Sequence, residues 1–321
     1  MAIRDIITPQ FIKNTYILGV DLTLDDGSPY PDEIFEQAID SAINAIELEL
    51  GITIDEFTVK GERHDARIEH RDAFWPFKLD HGPVKSVQAL NITLGNNKTA
   101  TLPTNWVQVT SGMHSQVNII ATSTELGSFY FTSGVPLIFG DVFSPHTYVP
   151  GYFSLDYTAG FHFFDGVAVI PQGETSVEVT LPTHLEGVRP TVILNVTDAQ
   201  GGAGARVRSA GTDSFTISVT TAPTTGDMTI AYTAHTVDPL LLKAIGIMAA
   251  ISPLDIAGDL IAGAGIGSFS VGVDGLSQSI ATTASATSAG YGARIISYQK
   301  QLKDTMAALK AKYRSMNIFS V

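Results

Sequence analysis

The chain has 321 residues (34.2 kDa), no cysteine, 16% charged residues and a net charge of −13. The lack of cysteine excludes disulfides, thiolate metal sites and a cysteine nucleophile. An apolar content of 44% excludes a disordered chain, and the acidic balance argues against a nucleic-acid wrapper, which needs a basic face. The first helix is predicted over 8–18, where Thr8-Pro9 supplies an N-cap hydroxyl and a proline at the first helical position, and Phe11, Ile12, Tyr16 and Ile17 recur at helical spacing. After a turn at Asp25, Asp26 and Gly27, a second helix is predicted over 32–50. Its stripe is Ile34, Phe35, Ala38, Ile39, Ala42, Ile43 and Ile46, with Gly51 as its C-terminal cap.

From residue 53 to 165 the period changes to two. Val84 to Ile92, Trp106 to Val109, Gln116 to Ile120 and Phe153 to Tyr157 read as strands, and Gly140 to Gly151 reads as a long loop. Residues 166–235 form a separate unit in which Val177/Val179/Leu181, Val192/Leu194/Val196, Phe215/Ile217/Val219 and Met228/Ile230/Tyr232 each mark one strand face. Short strands parted by Gly-rich turns predict an immunoglobulin-like β-sandwich, inserted into a core made of residues 1–165 and 236–321.

A third helix is predicted over 238–251, starting at Asp238-Pro239 and stopping before Pro253. Its apolar run, Leu240 to Ile251, is shorter than the roughly 20 residues of a membrane span, so it reads as a buried helix. Arg4 and Asp5 interrupt any early apolar run, so no secretory signal is expected, and the chain reads as a cytoplasmic product. Ile266 to Gly290 is a low-charge Gly/Ser/Thr/Ala strip. The last helix, 291–313, carries a heptad-like seam of Tyr291, Ile295, Tyr298, Leu302, Met306, Leu309 and Tyr313, with Lys300, Lys303, Lys310 and Lys312 projecting away from it. The fold class expected is therefore α+β, a small helical bundle joined to a β-rich region and the inserted sandwich.

The charge is uneven along the chain. Residues 1–60 carry twelve acids against three bases, and residues 291–321 six bases against one acid, which points to contacts between chains or with a partner. Motifs for chemistry are scarce. The histidines at 64, 70, 81, 114, 146, 162, 184 and 235 lack metal-ligand spacing, and Gly263-Ala264-Gly265-Ile266-Gly267 lacks the lysine of a phosphate loop. No G-x-S-x-G elbow occurs. A sugar-stacking role for 166–235 is disfavoured, because its only aromatics, Phe215 and Tyr232, are in phase with core positions. No catalysis, metal or cofactor is expected. The tail from Met316 to Val321, with Ile318 and Phe319 at a basic end, reads as a docking peptide, since a free apolar terminus otherwise frays.

Several stretches resemble the head–tail connector (adaptor) proteins of tailed bacteriophages. They are Thr15-Tyr16-Ile17-Leu18-Gly19-Val20-Asp21-Leu22, Ile46-Glu47-Leu48-Glu49-Leu50-Gly51-Ile52, Gly82-Pro83-Val84-Lys85-Ser86-Val87 and Leu155-Asp156-Tyr157-Thr158-Ala159-Gly160-Phe161. Gly267 to Ser277 and Tyr291-Gly292-Ala293-Arg294-Ile295-Ile296 complete the series, which covers most of 1–165 and 237–315; the stretch 166–235 departs from it. The resemblance implies a structural virion protein of the phage neck, assembled in the host cytoplasm. It implies a homo-oligomeric ring, usually of about twelve copies, closed by rotation. Such a ring joins the portal to the tail or its stopper protein and passes DNA without binding it specifically, with no membrane involved. On this reading Lys310, Lys312, Arg314, Ile318 and Phe319 dock on the portal, Asp274, Gly275 and Leu276 lie in a strip that orders on assembly, and the 291–309 seam packs helices. The alternative is a tail- or neck-associated protein that binds the host surface through the β-insert.

Overall fold

The computed structural model describes residues 2–24, 27–67, 70, 75–95, 97–109, 115–120, 148–183, 185, 188–195, 204–262, 268–273, 276–281 and 291–313. Over these residues the chain is α+β, with four α-helices and fifteen strands in antiparallel sheets. It divides into two compact units. A helical unit holds residues 2–50 and 238–311, and a β unit holds residues 51–237, with which Lys312 and Tyr313 group.

In the helical unit, α1 spans Pro9–Thr15, with Thr8 Oγ1 accepting the Phe11 N–H at 3.1 Å. It ends three residues before the predicted limit. The N–H groups of Tyr16 and Ile17 both close on the Ile12 carbonyl, and Gly19 adopts a left-handed φ of 82°. Ile17 is nevertheless buried, so the apolar period outlasts the helix. Helix α2, Asp32–Leu50, has the predicted bounds, with Asp32 and Glu33 at its dipole-favoured start. Phe35, Ile39, Ala42, Ile43, Ile46 and Leu50 are buried, and Gly51 caps it at φ 64°.

Helix α3 corrects the sequence reading, because it runs Pro239–Ala262, straight through Pro253. A proline inside a helix costs about 3 kcal/mol. Leu254 and Ala257 beyond it are buried, and continuing the helix recovers about 25 cal/mol per Å² of that apolar surface. By length and composition Pro239–Gly258 is apolar enough to cross a membrane. Within its unit α1 and α2 pack on it, and Leu241, Ala244, Ile245, Ile247, Ala249 and Ala250 are buried around its circumference. Gly246 is where Tyr16 crosses, since a Cβ there would lie 2.3 Å from the Tyr16 ring. Helix α4 spans Gly292–Tyr313, within one residue of its predicted start.

The β unit begins with a four-stranded sheet in the order β1-β7-β3-β4, formed by β1 (Phe57–Arg67), β3 (Val84–Leu94), β4 (Asn97–Leu102) and β7 (Tyr148–Ala159). Residues 148–151, predicted as loop, are the start of β7. A smaller sheet joins β2 (Phe77–Lys78), β6 (Gln116–Ile119) and β5 (Val107–Val109). Their shared core is Tyr152, Phe153, Leu155, Tyr157, Leu90, Ile92, Trp106 and Val117. Gly160 has φ 115°, and a Cβ there would sit 2.5 Å from the Asp55 carbonyl oxygen, so only glycine fits.

Beyond it, β8 (Phe163–Ile170), β13 (Met228–His235) and β10 (Thr191–Asn195) form one sheet. Strands β9 (Ser176–Thr180), β12 (Ser214–Ser218) and β11 (Arg206–Ala210) form another. The two share one core of Ala168, Ile170, Met228, Ile230, Phe215 and Ile217, against which Val177, Val179, Val192, Leu194 and Tyr232 pack. The predicted strand faces thus point where the alternation put them, except Val196, which lies outside the described residues. The entry and exit of the β unit are tied to adjacent residues. Phe161 N–H donates to Ile54 O at 2.9 Å, and His162 N–H to Thr236 Oγ1 at 2.9 Å.

Candidate assembly surface

The α4 seam is folded into its own chain. Ile295, Met306 and Leu309 are buried, and Tyr291, Tyr298 and Leu302 are half-buried. The Tyr298 hydroxyl donates to Tyr16 O at 2.6 Å, and Arg294 Nη1 to Leu18 O at 3.3 Å, which fastens the start of α4 to the chain leaving α1. Near the other end Lys310 pairs with Glu49 of α2 at 2.6 Å. Lys312 lies over the Tyr313 ring, and the last carbonyl of the helix, Tyr313 O, accepts from Lys78 Nζ at 3.4 Å. A cation at that position suits the negative end of the helix dipole.

Of the predicted docking residues, Lys310 and Lys312 therefore have partners within the chain, whereas Arg314, Ile318 and Phe319 lie outside the described residues. Lys300 and Lys303 are exposed. In the strip, Asp274 and Gly275 lie outside the described residues and Leu276 begins a strand. Strand β14 (Ser268–Val273) pairs with β15 (Leu276–Ala281) in register Val273↔Leu276 through Phe269↔Ile280. A signal was present in the sequence, where Asp274-Gly275, a dipeptide favoured between paired alternating segments, stands between the two strands.

Sequence reasoning missed a buried polar cluster in the β unit. Glu62 of β1 has a side chain only 8% exposed, and it accepts from His64 Nε2 at 2.7 Å, the Asp80 N–H at 2.9 Å and the Tyr157 hydroxyl. Burial raises its pKa, and the hydrogen bonds from His64, Tyr157 and Asp80 together outweigh that, so the carboxyl is held below its ordinary range. Burial, then the bond to Glu62, pushes the Tyr157 phenol far up, so it stays a donor. The His81 N–H reaches the Tyr157 oxygen at 3.2 Å, and the His81 ring meets Thr53 Oγ1 at 2.9 Å. Tyr157 is fully buried, so the cluster acts as an internal latch between β1, β7 and the 79–81 segment.

His162 lies in a second charged group. Burial first, then Lys85, pushes its pKa down to about 4, with Glu56 acting in the opposite sense. Lys85 and Glu56 themselves pair at 2.5 Å. Among the described residues no group of three or more His, Asp or Glu side chains is arranged to hold a metal ion. No protein-family model matches the chain, and no curated protein matches it in sequence.

Proposed function

We propose that this chain is a structural connector of a tailed-phage neck, a ring-forming protein that joins portal to tail and lets DNA pass through its lumen. The helical unit serves as its bundle-like core, and the two facing sheets over 163–235 serve as an immunoglobulin-like decoration. The observation that carries the reading is spatial. Stretches that resemble the connectors, far apart in sequence, touch one another in pairs. Leu18 meets Arg294, and strand residues Val84, Ser86 and Val87 pair with Ala159, Thr158 and Tyr157.

The reading is tested by removing residues 314–321. The truncated chain is expected to fold, with unchanged helical signal, and to lose binding to portals. Truncated protein that still caps DNA-filled heads overturns the docking role, and a single copy of the chain per particle overturns the ring. A second reading, host-surface binding through the 166–235 unit, has one observation in its favour. Val167, Val169 and Ile193, 63%, 44% and 38% exposed, share the outer face of the β10-β13-β8 sheet. Particles lacking 166–235 that assemble normally and fail to adsorb would favour it.

A further inference from the structure

The helical unit carries opposite charges on two of its helices. Helix α2 has six acids and no base, and α4 has five bases and one acid, Asp304. Some of this complementarity is satisfied within the chain, by Lys310 with Glu49, Lys13 with Asp32 and Arg4 with Asp40. The rest is not. Glu33 and Glu36 on α2, and Lys300 and Lys303 on α4, are exposed and have no ion-pair partner among the described residues. Each helix also exposes one large apolar side chain, Leu48 at 82% and Ile296 at 52%.

We infer that the exposed face of α2 in one copy, centred on Glu33 and Glu36, docks against the exposed face of α4, centred on Lys300 and Lys303, in a second copy of this chain. The inference rests on the ring reading and assigns the surfaces that close it. Contacts of α2 with α2, or of α4 with α4, set like charges together and are disfavoured; α2 against α4 sets acids against bases. Leu48 and Ile296 supply apolar area that the charges alone lack, since exposed ion pairs contribute little affinity while setting partner and orientation.

The test uses the full-length chain, whose mass distribution is followed over a range of protein concentrations at about 50 mM and about 500 mM salt. Wild type is expected to self-associate at low salt and to dissociate at high salt. Lys300→Glu with Lys303→Glu, or Glu33→Lys with Glu36→Lys, is expected to weaken association about tenfold or more. Circular dichroism checks that each variant remains folded. An equimolar mixture of the two variants regains association, because every contact in an alternating assembly is then again acid against base. Variants that associate like wild type, or a mixture that stays apart, overturn the assigned faces while leaving the ring reading intact. Charge-dependent association that stops at two copies supports the faces and overturns the ring. A wild-type chain that stays monomeric throughout overturns the assigned faces.

Discussion

Replacing Tyr157 by Phe isolates the latch in the β unit, because the ring and its packing remain and only the hydroxyl is lost. That hydroxyl donates to the Glu62 carboxylate and accepts the His81 N–H at 3.2 Å, in a residue with no exposure. A hydrogen bond to a charged group contributes about 1.5–3 kcal/mol, and a buried donor left without an acceptor costs about 1 kcal/mol or more. The expected loss is therefore about 2–4 kcal/mol. Glu62 keeps the His64 and Asp80 donors, so Tyr157→Phe should cost less than Glu62→Ala, which strands three donors at once and falls in the range of about 3–5 kcal/mol for a broken buried pair. Urea unfolding of the full chain measures both, with an unchanged slope showing that the unfolded state is unaltered. A double-mutant cycle with Glu62→Gln should show a coupling of about 1 kcal/mol or more. A Tyr157→Phe chain within about 0.5 kcal/mol of wild type, or strict additivity with Glu62→Gln, refutes the latch.

Gly246→Ala places a methyl group 2.3 Å from the Tyr16 ring. Helix propensity gains about 1 kcal/mol, but overpacking costs about 1–3, so the thermal midpoint should fall, and a rise would show the ring moves aside freely. Thr8→Ala removes the cap on the Phe11 N–H and should cost about 1 kcal/mol in urea, with Thr8→Asp restoring it. Acid should weaken the fold in two stages. His162, pushed down to about 4, and His235, lowered by burial against a smaller opposing effect of the Val237 backbone, take up protons more readily unfolded than folded. Stability is thus full above about pH 6.5 and falls as pH drops from there towards 4. Glu56, Glu62 and Asp65, held low when folded, keep their contribution until pH falls below about 4.5 and lose it from there downward. Melting curves that are flat from pH 7 to 5 would contradict the histidine stage.

Helices α2 and α4 were legible because a wide apolar stripe, and for α2 a glycine beyond it, coincide with their bounds. Helix α1 was read too long because Ile17 is buried by tertiary packing after the helix has ended, and apolar period cannot separate the two causes. Pro253 misled in the other direction, since burial around it outweighs the local penalty. Strand β1 was hidden by Lys60, Glu62, Arg63, Asp65 and Arg67. It is an edge strand with a single buried apolar residue, Ala66, and such strands carry charge along their length. The latch was not legible at all. Glu62 and Tyr157 stand 95 positions apart, and only the antiparallel register of β1 with β7 brings them together. A survey of histidine spacing cannot see a partner delivered by sheet pairing.

The structure also changes what the last helix has to offer another chain. A heptad-like stripe presents one apolar seam, and a seam can be used once. Ile295, Met306 and Leu309 are already buried, and Tyr298 and Arg294 hold the helix to the chain leaving α1. A second molecule approaching α4 therefore meets Ile296, Lys300, Lys303 and a run of small residues, Ala307, Ala308 and Ala311, all exposed. A face of that kind lets backbones approach and reads the partner by charge, but lacks the large apolar area of an obligate interface. On the connector reading, copies should then be separable subunits that meet through salt-sensitive contacts, each folded before it docks. The intact helical unit, with its seam closed and its charges divided between α2 and α4, has the properties such a subunit needs.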